Sequence, residues 1–167
     1  MKHSKYIDHT MLKANATKAQ IIQLCNEAKE HDFRTVCVNP SYIPLCVEEL
    51  KGSDVGVCTV IGFPLGMMTT EAKVFEAKDA IEKGAKEVDM VINIAKAKDG
   101  DFDYIEDEIR QIKAAVGDHV LKVIIETCLL TDDEKIALCK CVVNAGADYI
   151  KTSTGFSTAG ATFHDVE

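Results

Sequence analysis

The chain has 167 residues, 47% hydrophobic and 28% charged, with a net charge of −8 and only 3 prolines. That is a globular profile and excludes a disordered, collagen-like or low-complexity chain. No apolar run approaches the roughly 18 residues of a membrane span, and only two of the basic residues are Arg, so neither a membrane nor a nucleic-acid partner is expected.

Met1 to Asp8 contains no apolar segment of the kind a secretory leader needs, so no leader is expected. Seven cysteines stand at 25, 37, 46, 58, 128, 139 and 141 without a CxxC or a zinc-finger spacing. Most of them read as small buried hydrophobes in a reducing compartment, which points to the cytoplasm and to no metal.

Short β-branched runs alternate with stretches of helical spacing. Tyr6 to Leu12 is a weakly marked first strand. Thr17 caps a helix to His31, with Ile21, Ile22, Leu24, Cys25 and Ala28 as its apolar stripe. Thr35 to Asn39 is a second strand, closed by Pro40, and Ser41 to Leu50 a second helix. Val55 to Phe63 is a third strand, stopped by Pro64 and Gly66. The next helix, Thr70 to Lys83, turns Ala72, Phe75, Ala77, Ala80 and Ile81 inward and ends at Gly84. Glu87 to Asn93 is strand four. A loop through Asp99, Gly100 and Asp101 leads to a helix from Tyr104 to Ala115. His119 to Thr127 is strand five. Thr131 caps a helix to Ala145 that carries Asp132, Asp133 and Glu134 in its first turn. Asp148 to Ser153 is strand six, and Thr162 to Glu167 reads as the start of a helix.

Apolar strands between helices imply an α/β protein with a parallel sheet, and no linker divides residues 1–167 into more than one domain. Six strands use the chain at roughly 27 residues per βα unit, so eight would need roughly 220, close to the lower limit of a closed barrel. The chain is therefore either an open doubly wound sheet or a TIM (β/α)8-type barrel with about six units present and its last two strands missing.

Charges within the strands favour the barrel. Asp89 lies in EVDMVIN, Lys122 in LKVIIE and Lys151 in YIKTST. Desolvating a lone charge costs several kcal/mol, and a barrel interior that opens at its mouth offers a wet exit. Alternation then turns Val91 and Asn93 the same way as Asp89, and Ile124 and Glu126 the same way as Lys122. The plain reading is a buried ion pair that fixes register. The chemical reading is a lysine whose pKa is lowered by a second cation or an apolar wall. Such an amine attacks a carbonyl to form a Schiff base, with Asp89 relaying protons.

At these residues the chain closely resembles the deoxyribose-phosphate aldolase family, through IDHTMLK, VCVNP, VCTVIGFPLG, EVDMVIN, LKVIIETCLL, AGADYIKTSTGFS and GAT. The resemblance implies a class I, metal-free and cofactor-free aldolase on a TIM barrel. Its reaction would be the reversible cleavage of 2-deoxy-D-ribose 5-phosphate to acetaldehyde and D-glyceraldehyde 3-phosphate, in deoxyribonucleoside breakdown. It implies Lys151 as the Schiff-base lysine and Asp89 as the proton shuttle. Thr10, Cys37, Lys122, Thr154 and Gly155 match substrate-lining positions. Family members continue with a strand bearing a second lysine in a K-A-S-G-G-like motif and with phosphate-holding loops, which this sequence does not contain. An impaired enzyme is therefore expected, or alternatively a catalytically silent fragment. Either would self-associate as a homodimer or higher oligomer to cover exposed strand edges.

Other features read as structural. Asp101, Asp103, Glu106, Asp107 and Glu108 form a solvated helix face, Met67 and Met68 pack, and His9 makes a structural hydrogen bond. A phospho-receiver arrangement would need an acidic pair after strand one, where only Asp8 stands before His9.

Overall fold

A computed structural model of the chain describes residues 3–167; Met1 and Lys2, which begin the stretch read as leaderless, lie outside the described residues. Six strands alternate with helices: β1 (Asp8–Met11), α1 (Lys18–His31), β2 (Thr35–Val38), α2 (Ile43–Glu49), β3 (Gly56–Ile61), α3 (Thr70–Glu82), β4 (Glu87–Val91), α4 (Ile94–Lys98), α5 (Phe102–Val116), β5 (Val120–Ile124), α6 (Asp132–Asn144) and β6 (Tyr149–Lys151). The strands lie in one sheet in chain order. A doubly wound sheet reverses its order at a switch point; this one never does, which is the order of a barrel.

The chain gathers into two compact units. The first runs through Val60 and takes in Asp79–Val88; the second comprises Ile61–Lys78 and Asp89–Glu167. In the first, β1, β2 and β3 pair in parallel, with Thr10 opposite Cys37 and Cys37 opposite Cys58. Thr17 and Gln20 close a capping box on α1, which buries Ile21, Leu24, Cys25 and Ala28 but leaves Ile22 half-buried. His9 meets Glu27 at 2.7 Å, a structural contact as expected.

In the second unit, β5 and β6 pair in parallel with Ile124 opposite Lys151. Thr131 and Glu134 close a second capping box on α6. The strongly amphipathic α5 buries Ile105, Ile109, Ile112 and Val116.

Several boundaries differ from the sequence reading. The Ser41–Leu50 helix is a 3-10 turn at Pro40–Tyr42 followed by α2, because proline fits the first turn of a helix. The loop before Asp99 contains α4, capped by the Asn93 side chain. Thr162 closes only a turn with Asp165 rather than opening a helix. On α3, Phe75 points outward and is 72% exposed, whereas Lys73 is fully buried. The buried positions Thr70, Lys73, Ala77 and Ala80 have the 3-4-3 spacing of one helical face, and Phe75 lies off it. Met67 and Met68 are exposed rather than packed.

Candidate active site

The geometry centres on a buried carboxylate between two lysines. Asp89 is in the middle of β4 and Lys122 in the middle of β5, while Lys151 ends β6. Lys151 faces Ile124 across the sheet, so it lies one layer above Lys122 on the same side. The three side chains converge. Asp89 Oδ2 accepts a hydrogen bond from Lys151 Nζ, and Asp89 Oδ1 lies 3.2 Å from Lys122 Nζ. Each carboxylate oxygen thus serves one ammonium.

Exposure separates the two lysines. The side chains of Asp89 and Lys122 are 1% and 8% exposed, that of Lys151 34%. Only Lys151 presents its amine both to the carboxylate and to the solvent from which a carbonyl compound would arrive.

The chain after Lys151 is held by Glu126. This residue follows β5 in the left-handed region at φ 58°, which is strained for a glutamate. It is buried and accepts from the Thr154 amide at 3.2 Å and from the Thr154 hydroxyl. Thr154 in turn accepts from the Phe156 amide. Phe156 meets Phe63 edge-on at 5.4 Å, tying the turn after β6 to the one after β3. A cavity of about 280 Å³ opens among these turns, lined by Leu65, Met67, Ile94, Leu129, Thr154 and Phe156.

Glycines let the turn after β3 approach closely. A Cβ on Gly66, whose φ is +69°, would stand 1.8 Å from the Ile92 carbonyl oxygen. Behind this turn lies an ion pair that the sequence reading missed. Lys73 on α3 and Glu108 on α5 meet at 2.9 Å, and both side chains are fully buried. The sequence places Glu108 on a solvated acidic face. It is instead on the buried side of α5, one residue before Ile109, and is drawn in by Lys73 and the Asn93 amide. Burial pushes Lys73 down and Glu108 up from their ordinary pKa values, against the attraction between them. The 3-4-3 spacing of Lys73 with Thr70, Ala77 and Ala80 was the sequence signal for it.

The remaining substrate-lining candidates are placed as follows. Gly155 follows Thr154 at φ +79°, with open space around it. Thr10 and Cys37 pair in the first unit; the Thr10 hydroxyl donates to the Asp8 carbonyl at 2.7 Å, and Cys37 is buried. All seven cysteines are thiols, five of them buried.

Residues 3–167 match the family described as DeoC/LacD family aldolase. The chain belongs to this family. It is 61% identical, over its whole length and 76% of the relative's, to the deoxyribose-phosphate aldolase of Streptococcus uberis. It is 59% identical to that of Lactococcus lactis subsp. lactis, with the same coverage. Among solved structures it superposes on QR15, an aldolase, with TM-score 0.93 and 38% identity, covering 98% of this chain and 73% of that one. It also superposes on the tetrameric deoxyribose phosphate aldolase of Aeropyrum pernix, with TM-score 0.84 and 34% identity, covering 94% of this chain and 66% of that one. The family fold is the TIM-type barrel, and the six consecutive βα units seen here belong to it. Its members are class I aldolases, lyases that act on carbon–carbon bonds.

Proposed function

We propose that the chain catalyses the reversible cleavage of 2-deoxy-D-ribose 5-phosphate, with Lys151 as the nucleophile and Asp89 as the proton-transfer group. The observation that carries this reading is the single buried carboxylate shared by two lysines, of which only Lys151 is open to solvent.

The steps follow from the contact. Asp89 takes a proton from the Lys151 ammonium, and the neutral amine attacks C1 of the open-chain aldehyde. Asp89 returns a proton to the carbinolamine oxygen, and water leaves to give a protonated imine. Asp89, again a carboxylate, takes the proton of the C3 hydroxyl, and the C2–C3 bond breaks, its electron pair passing into the imine as an enamine. D-glyceraldehyde 3-phosphate departs, carrying C3 as its new aldehyde. Protonation of the enamine and hydrolysis then release acetaldehyde and restore Lys151. The imine nitrogen is the electron sink, so the chemistry needs no cofactor.

Lys122 holds the second oxygen of Asp89 and thereby aims the first at Lys151. Thr10, Cys37, Thr154 and Gly155 are proposed to line the path of the sugar. Thr154 has the clearest support, because Glu126 fixes it three residues after Lys151. Cysteines that stay as thiols suit a reducing cytoplasm, where deoxyribonucleosides are broken down. A homo-oligomer is proposed on the example of the Aeropyrum pernix tetramer, with sedimentation at tens of micromolar as its check.

The test is a coupled assay that reads acetaldehyde released from 2-deoxy-D-ribose 5-phosphate. Turnover that Lys151→Ala abolishes supports the reading. No release above the Lys151→Ala level would favour a catalytically silent fold.

A further inference from the structure

Lys73 is the largest fully buried side chain of the described residues, and its ammonium is directed at the exit of β4. Its Nζ donates to the Val91 carbonyl at 2.9 Å and to Glu108 Oε1 at 2.9 Å. The other oxygen of Glu108 accepts from the Asn93 amide at 3.3 Å. The pair therefore grips the backbone on both sides of Ile92. Ile92 itself donates to the Ile124 carbonyl at 3.1 Å, and its own carbonyl is closely approached by Gly66. Three successive residues at the exit of β4 are fixed in this way, and the first of them is two residues from Asp89.

The path of Lys73 is also built. Its stem crosses Gly62, where a Cβ would stand 2.8 Å from Lys73 Cε. The Gly62 amide donates to Glu76 Oε2 at 2.8 Å, one turn further along α3. Thr70 completes the surround, its hydroxyl 3.1 Å from the Tyr104 hydroxyl and 3.5 Å from Glu108 Oε1.

Stability alone does not account for this arrangement. A buried ion pair stabilises weakly, and a well-packed apolar pair of the same volume is often as stable or more so. An apolar pair cannot make directional contacts to a carbonyl and an amide two residues apart. We propose that Lys73, acting with Glu108, is a positioning residue that holds the exit of β4 so that Asp89 stays between Lys122 and Lys151. The inference rests on the reading of Asp89 as the proton-transfer group.

The test compares the parent chain with the double variant Lys73→Met, Glu108→Leu, which keeps volume and removes both charges. Three quantities are read: the thermal midpoint, kcat and KM for cleavage, and the rate at which acetic anhydride labels Lys151 at pH 7, with exposed Lys78 as internal control. The expected result is a retained cooperative transition, KM within about twofold, kcat lower by about tenfold or more, and a Lys151 labelling rate changed by at least about threefold against Lys78. A folded double variant with parental kcat and parental Lys151 labelling would overturn the proposal. If that variant does not fold, Glu108→Gln keeps the shape and one acceptor, and the same readouts decide. A parent without cleavage defeats the aldolase reading of the site. The Lys151 labelling ratio between parent and variant still tests the positioning role in that case.

Discussion

Lys122 Nζ lies 3.2 Å from Asp89 Oδ1, on the carboxylate oxygen that Lys151 does not use. An aspartate held this way cannot turn away from Lys151 without also breaking its contact with the buried Lys122 ammonium. Its removal is therefore expected to act on both stability and chemistry. Asp89→Asn should lower the unfolding free energy by about 3 kcal/mol, the scale of a broken buried ion pair. It should slow imine formation roughly 100-fold, the scale of lost acid–base assistance. Urea unfolding and the rate of borohydride-trapped adduct check the two effects separately; a parental trapping rate would remove Asp89 from the proton path.

The turn after β3 makes a graded prediction. Both Gly62 and Gly66 have positive φ, but their neighbours differ. The Gly66 site faces a backbone carbonyl, which cannot move without displacing β4, whereas Gly62 faces the flexible end of Lys73. Gly66→Ala should destabilise the chain by more than about 3 kcal/mol, and Gly62→Ala by about 1–2. Urea midpoints at equal m-value measure both, and the reverse order would contradict this account of the turn.

The outward position of Phe75 predicts a silent substitution. Phe75→Ala should change stability by no more than about 0.5 kcal/mol, as for other surface sites away from special features. A loss of about 3 kcal/mol, the scale of a core phenylalanine, would mean that this face of α3 is covered.

The start of β6 carries an acid-sensitive contact. Burial pushes the Asp148 carboxyl up, but hydrogen bonds from the Leu121 amide and Lys113, both at 2.8 Å, outweigh it and hold the group below its ordinary 3.8. A depressed carboxylate contributes stability that is present above its unfolded pKa and lost as pH falls through its folded value. Asp148→Asn should therefore lower the thermal midpoint at pH 7 and flatten its decline below pH 4, read by thermal unfolding across pH 2–7. An unchanged acid limb would contradict the contact.

Much of this was legible in the sequence. Charges inside apolar strands have few stable solutions, so the sequence alone draws Asp89, Lys122 and Lys151 together. The helix caps at Thr17 and Thr131 were equally direct, because their chemistry is local. What escaped was decided by tertiary contact. Glu108 sits among acids that stay exposed or half-buried, and it is set apart by meeting Lys73, 35 residues earlier in the chain. The sequence places Phe75 inward beside Ala72 and Ala77, yet the buried face of α3 runs through Lys73. The left-handed backbone at Glu126 carried no signal, since a glutamate there is the exception to the residue preferences that mark such turns.

In the proposed reaction Lys151, and not Lys122, is the reactive amine. This assignment is tested most directly by incubating the chain with acetaldehyde and sodium borohydride and mapping the reduced adduct by peptide mass spectrometry, beside Lys151→Ala and Lys122→Ala. One N-ethyl group is expected on Lys151 in the parent, none above background in Lys151→Ala, and a slower but still Lys151-directed adduct in Lys122→Ala. An adduct on Lys122, or equal labelling of the parent and Lys151→Ala, would contradict the assignment.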